Sequence, residues 1–132
     1  MTLQRINPDD LPTPLAYTHV IVATGTRLVF VAGQVADDGQ GNLVDPGDLA
    51  VQARQAFANV GRALAAGGAQ PEQVTKITIF VVNYRPEYLP AIEEGRVALF
   101  GDHRPADTLL GVEALSDPGY LIEVEAIAVI DG

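Results

Sequence analysis

Strands that are apolar on both sides are what most constrain this chain. Residues 27–35 read RLVFVAGQV, and successive side chains of an extended strand point to opposite faces. Val29, Val31, Gly33 and Val35 then fall on one face, and Leu28, Phe30 and Ala32 on the other. VTKITIFVV at 74–82 behaves alike, with Ile77, Ile79 and Val81 opposite Val74, Phe80 and Val82. A sheet made of such strands needs cover on both sides.

The cover available is limited to two helices. The first has Asp45 as its predicted N-cap, Pro46 at the first helical position, Asp48 in the first turn, and Gly67-Gly68 as its stop. Leu49, Ala53, Phe57, Val60 and Leu64 recur at spacings of three and four and form one apolar stripe. The second is PEYLPAIEEGRVALFG, with Pro86 near its start, Pro90 close to the first turn and Gly101 after its end. Strands are predicted at 18–24 and 27–35, read as a pair joined at Gly25-Thr26, and at 74–82, 107–114 and 120–130. DDGQGNLV between the second strand and the first helix is a turn-rich loop. The order β-β-α-β-α-β-β is an α+β fold, a mixed sheet with two helices packed on one face. The other face is left for self-association, because large exposed apolar patches are unusual on monomers. Cover by loops and the N-terminal segment is the alternative.

Composition narrows the function classes. The 132 residues suit a single domain, 1–132, and 48% hydrophobic content suits a substantial core. A net charge of −9 with only 8 basic residues argues against nucleic-acid partners, which require clustered cations to meet phosphates. No apolar run approaches the roughly 20 residues of a membrane span, and MTLQRINPDDLPTP has no signal-peptide core. The absence of cysteine excludes disulfides and thiolate metal sites and points to a reducing cytoplasm. No cofactor motif is present. A divalent metal held by Glu93, Asp107 and Glu123 has no spacing motif behind it, and none is expected.

The last strand, YLIEVEAIAVI, carries the most pointed chemical signal. Glu123 and Glu125 share a face with Leu121, Ile127 and Val129. An unpaired carboxylate is expensive to bury, and a buried one is suited to general acid or base work. Two readings are open at this point: Glu123 and Glu125 line a wet edge or pair with Lys76, Arg27 or Arg54, or one of them is functional.

The pieces AYTHV at 16–20, LVFVAGQV at 28–35, QARQAFANVGRALAAGGA at 52–69, VTKITIFVVN at 74–83, LFGDHRPA at 99–106 and IEVEAIAV at 122–129 resemble, in order, the Rid family (YjgF/YER057c/UK114), known for enamine and imine deaminases. The resemblance implies a homotrimer whose three sheets form a central barrel, with small-molecule clefts between subunits. It also implies roles residue by residue. Tyr17 matches a cleft tyrosine, Gly33 a glycine whose backbone lines the cleft, and Glu123 a glutamate that positions the attacking water. Ala32 stands where the family often has Ser, Glu93 where a second-helix Asn falls, and Leu109 where a Cys often follows.

The deaminases carry Pro-Ala-Arg where this chain has Pro105-Ala106-Asp107. Their Arg holds the carboxylate of a 2-imino acid through a planar two-pronged bridge, a geometry Asp cannot offer and a charge it repels. Asp107 and Glu123 are therefore the candidate catalytic residues, and Tyr17, Ala32, Gly33, Glu93 and Leu109 the candidate ligand-binding residues. The reading is a Rid-type, hydrolase-like or deaminase-like trimer for a small metabolite other than a 2-imino acid. The alternative is a non-catalytic binding or regulatory trimer, with deaminase proper and ribonuclease as weaker readings. Arg96 and Arg104 are the cations that could replace the missing Arg, Arg104 being expected in solvent. His103 is expected to be exposed.

Overall fold

A computed structural model describes residues 1–132. The main sheet holds four strands in the order β3-β6-β4-β5, where β3 is Arg27–Gln34, β4 Val74–Val82, β5 Ala106–Val112 and β6 Ile122–Ile130. It is mixed: β6 runs antiparallel to both β3 and β4, whereas β4 and β5 are parallel. The parallel pair is joined by helix α2, Leu89–Phe100, as a βαβ crossover requires. Helix α1, Leu49–Ala66, lies over β3 and β6, and α2 packs beside it. Gly95 permits that packing, since a Cβ there would lie 2.9 Å from the backbone carbon of Ala53. The expected α+β fold and mixed sheet are thus present.

One face of the sheet closes the core. Ala53, Phe57, Val60 and Leu64 of the predicted stripe are fully buried against Ile77, Ile79, Val81, Val124 and Ala128. The opposite face leaves large apolar side chains in solvent, with Phe30 70% and Leu28 62% exposed.

Several local expectations are corrected. The predicted strand pair at 18–35 does not form. β2, Val20–Thr24, pairs instead with a short strand that the sequence reading missed, β1, Thr2–Ile6, in a separate two-stranded ribbon. At the Gly25-Thr26 turn, Thr26 N–H donates to Ile130 O, which delivers β3 to β6 rather than folding it back on β2. Asp48, not Asp45, is the N-cap of α1, its Oδ1 accepting from Val51 N–H at 3.1 Å. Asp45 has φ +43°, outside helical geometry. The second helix begins at Leu89 after a 3₁₀ turn at Pro86–Tyr88, so Pro90 lies in the first turn, where its missing N–H costs little.

Two irregularities overturn the simple alternation of side chains. A register shift between Val74 and Lys76 turns Val74 onto the buried face with Ile77, Ile79 and Val81, not with Phe80 and Val82. Another lies between Val31, opposite Ala126, and Gln34, opposite Val124. Three steps of β3 there span two of β6, so Gly33 leaves the Val29–Val31 face and turns toward Glu123.

Candidate functional site

Asp107 is the second residue of β5, level with Ile77 on β4, and its side chain lies on the helix-covered side. There it lines a cavity of about 400 Å³ between β5, α2 and the segment 13–17. The cavity walls are mostly apolar, Ile79, Ile92 and Leu109 among them, and polar side chains are supplied by Thr13, Tyr17, Glu93, Arg96 and Asp107. The strap 13–17 is held across the cavity by Thr18, whose Oγ1 donates to Arg104 O at 2.5 Å and whose N–H donates to Pro105 O at 3.3 Å.

The electrostatics of this cavity are unusual. Burial pushes the carboxyl of Asp107 up from 3.8 to about 6; Arg96 and Lys76 pull it down and Glu93 pushes it further up. Neither nearby cation donates a hydrogen bond to this carboxyl. Lys76 Nζ donates to Thr108 Oγ1 at 2.6 Å, and Arg96 pairs with Glu93 one helical turn away. Arg96 is 4% exposed; its Nε and Nη2 donate to Glu93, the latter at 3.1 Å, while Nη1 is buried and has no partner. A charged donor left so is costly, and an unpaired buried group calls for an explanation.

Arg104 is exposed, as expected, and stays outside the cavity. His103, expected in solvent, is buried instead. Its partners are distant along the chain: Arg5 Nη2 donates to its Nδ1 at 2.6 Å, leaving Nε2–H to donate to Val74 O at 2.8 Å. Burial lowers its pKa below the usual imidazole value, which keeps the ring neutral. It pins the loop before β5 to β1 and β4.

The remaining candidates lie elsewhere. Glu123 is level with Phe80 on β4 and sits on the sheet face away from the helices, half-buried where Glu125 is exposed. It joins none of the three ion pairs of the chain, so the suggested partners Lys76, Arg27 and Arg54 do not meet it; Arg54 pairs with Glu94. Its close neighbour is Gly33, where an added Cβ would lie 1.8 Å from Glu123 Oε2. Ala32 is exposed beside Gly33. Gly33 also borders a larger, more polar groove of about 830 Å³, whose Asn59 donates to the carbonyls of Val35 and Asp37 at 2.9 and 2.8 Å and so shapes the loop after β3.

Within one chain, then, Tyr17, Glu93, Asp107 and Leu109 converge, Gly33 and Glu123 converge, and the two groups do not meet. The Asp107 strand does not lie beside the Glu123 strand. β4 stands between them, and the two carboxylates occupy opposite faces. Glu93, Asp107 and Glu123 accordingly form no metal cluster.

Comparison with known proteins fixes the kinship. A family model described as Endoribonuclease L-PSP matches residues 9–130. The chain belongs to this family, the Rid (YjgF/YER057c/UK114) family. It is 30% identical over 120 residues to the 2-iminobutanoate/2-iminopropanoate deaminase of Dermatophagoides farinae, covering 91% of each chain. Its identity to the 3-aminoacrylate deaminase RutC of Acinetobacter baylyi is also 30%, over 128 residues, 97% of this chain and 98% of that one. Among solved structures, the Rid-family protein of unknown function YyfB from Yersinia pestis superposes with a TM-score of 0.91 at 36% identity, covering 98% of this chain and 99% of that chain. No helix is long and apolar enough to cross a membrane.

Proposed function

We propose that this Rid-family protein is a hydrolase that acts, as a homotrimer, on a small imine- or enamine-like metabolite other than a 2-imino acid. The observation that carries the reading is the desolvated carboxyl of Asp107 in the cavity, where a site for 2-imino acids needs a cation. A substrate carboxylate placed against it meets like charge in a low-dielectric setting, which costs several kcal/mol. The names of the deaminase relatives support imine hydrolysis as the reaction type.

In this reading each cleft is assembled from two copies of the chain. One supplies Tyr17, Glu93, Asp107 and Leu109, and its neighbour supplies Ala32, Gly33 and Glu123. The exposed apolar face around Phe30 and Leu28 supports the association, since assembly would remove it from water. Glu123 holds a water and takes its proton as the water oxygen adds to the imine carbon. The nitrogen then gains protons, the C–N bond breaks, and ammonia and a carbonyl product leave. Asp107 faces an amine or hydroxyl of the substrate. RNA is a poor substrate for this site, because the chain carries a charge of −9 and the cavity offers one cation against two carboxyl groups.

The test is to generate 2-aminoacrylate in situ with a dehydratase and to follow its loss, alongside a panel of imines and enamines with uncharged acyl groups, by ammonia release. Little acceleration of 2-aminoacrylate loss is expected, together with turnover of at least one neutral member that Glu123→Gln abolishes. Strong acceleration with 2-aminoacrylate would overturn the reading.

A further inference from the structure

We propose that Asp107 and Nη1 of Arg96 act as a donor–acceptor couple selecting a ligand with a cationic N–H group beside an uncharged carbonyl oxygen. This rests on the proposed site and names its substrate class: iminium or amino compounds whose neighbouring acyl group is an amide, ester or ketone rather than a carboxylate.

Three independent features lead there. The first is the orphan donor. Arg96 is almost wholly buried, Glu93 occupies its Nε and Nη2, and Nη1 has neither partner nor solvent. Arg96 lines the same cavity as Asp107, so an acceptor oxygen on a bound molecule, met by a small turn of the guanidinium, is the partner the chain itself does not provide for Nη1.

The second is the orphan acceptor. Lys76 donates to Thr108, Nε and Nη2 of Arg96 donate to Glu93, and Nη1 donates to nothing in the chain, so the carboxylate of Asp107 is left to take an N–H or O–H from whatever fills the cavity. An N–H⁺ is the better partner, because charge-assisted bonds are roughly twice as strong as neutral ones.

The third is the charge balance. Glu93 already neutralises Arg96, and ionised Asp107 leaves the polar end at −1. A carboxylate ligand would raise this to −2. A molecule with one cationic N–H and a neutral carbonyl brings it to zero while satisfying both orphan groups. The apolar walls of Ile79, Ile92 and Leu109, and a volume of about 400 Å³, suit a compact molecule with a short aliphatic or aromatic side chain. Specificity of this kind comes from leaving groups unpaired in the wrong ligand as much as from pairing them in the right one.

The experiment measures binding of stable probes by calorimetry at pH 7 to the intact protein: L-alaninamide, which carries both groups, propionamide, and propionate. Wild type is expected to bind L-alaninamide at least about tenfold more tightly than propionate, as one charge-assisted bond implies. Asp107→Asn removes the charge with little change of shape and should shrink that preference about tenfold or reverse it. Arg96→Lys, accepted only if its thermal melt stays cooperative, should weaken both amide probes and leave an amine without a carbonyl unaffected. Binding of propionate as tight as that of L-alaninamide, failure of L-alaninamide to bind, or an unchanged preference in Asp107→Asn would each overturn the proposal. L-alaninamide binding without hydrolysis of any imine would leave this assignment standing and remove the hydrolase reading. Imine hydrolysis in a pocket that prefers carboxylates would do the reverse.

Discussion

The two faces of the four-stranded sheet are built from similar residues and end differently. On one face Ile77, Ile79, Val81, Val124 and Ala128 disappear beneath Phe57, Val60 and Leu64 of α1. On the other, Leu28, Phe30 and Leu110 remain in solvent, with Glu123 among them. The two candidate carboxyl groups divide the same way: Asp107 belongs to the covered face and Glu123 to the open one. A face closed within the chain supplies stability and a shaped cavity. A face left open supplies an unfinished surface, and a group on it can join that cavity only from another copy.

The sharpest way to break the comparison is to cut a large side chain on each face. Phe57→Ala, on the closed face, should lower unfolding free energy by about 3–5 kcal/mol in a urea titration. Phe30→Asp, on the open face, should change the stability of the isolated chain by less than about 0.5 kcal/mol, yet shift the sedimentation profile to the monomer mass. A large loss of intrinsic stability in Phe30→Asp would mean that the open face is part of the fold.

The next effect belongs to Asp107. Folding raises its pKa from 3.8 to about 6, so between those values the folded chain holds a proton that the unfolded chain has released. Its ionisation therefore penalises the fold, fully above about pH 6 and not at all below about pH 4. Asp107→Asn should be more stable than wild type by about 1–3 kcal/mol at pH 7, with the difference fading by pH 4. Thermal melts across that range check both the sign and the window. Binding of a cationic probe should follow the carboxylate and weaken as pH falls through about 6, with Arg96, Glu93 and Lys76 as the charged neighbours that set the midpoint.

The smallest effect is at Gly33. An alanine Cβ would sit on top of Glu123 Oε2, and a flexible side chain can swing aside. Gly33→Ala should cost no more than about 1 kcal/mol in stability but should move the Glu123 carboxylate, read as a changed shift for that side chain in a carbon-detected spectrum. Unchanged Glu123 signals would show that the close approach has no consequence.

How much of this could be read from the residues depended on whether a feature was periodic or relational. The α1 stripe was legible because Ala53, Phe57, Val60 and Leu64 repeat with the helical period and every one is buried. The uncovered apolar face was legible through Leu28 and Phe30, because a count of helices sufficed. Val74 and Gly33 were misassigned because each lies at a register shift, and strict alternation cannot foresee an extra residue. The pairing of β2 with β1 was missed because a five-residue strand gives little periodic signal. That β4 separates Asp107 from Glu123 is a matter of strand order, which no local pattern encodes. His103 looked like a surface residue until its partners were in view, since burial of a titratable side chain depends on contacts distant in sequence.

Light scattering coupled to size exclusion at micromolar concentration tests most directly whether Asp107 and Glu123 share a site only between copies. A site shared between copies of the homotrimer requires a mass three times that of the 13.9 kDa chain. A stable monomer would contradict it, because the two carboxylates would then remain on opposite faces of one sheet with nothing to bring them together.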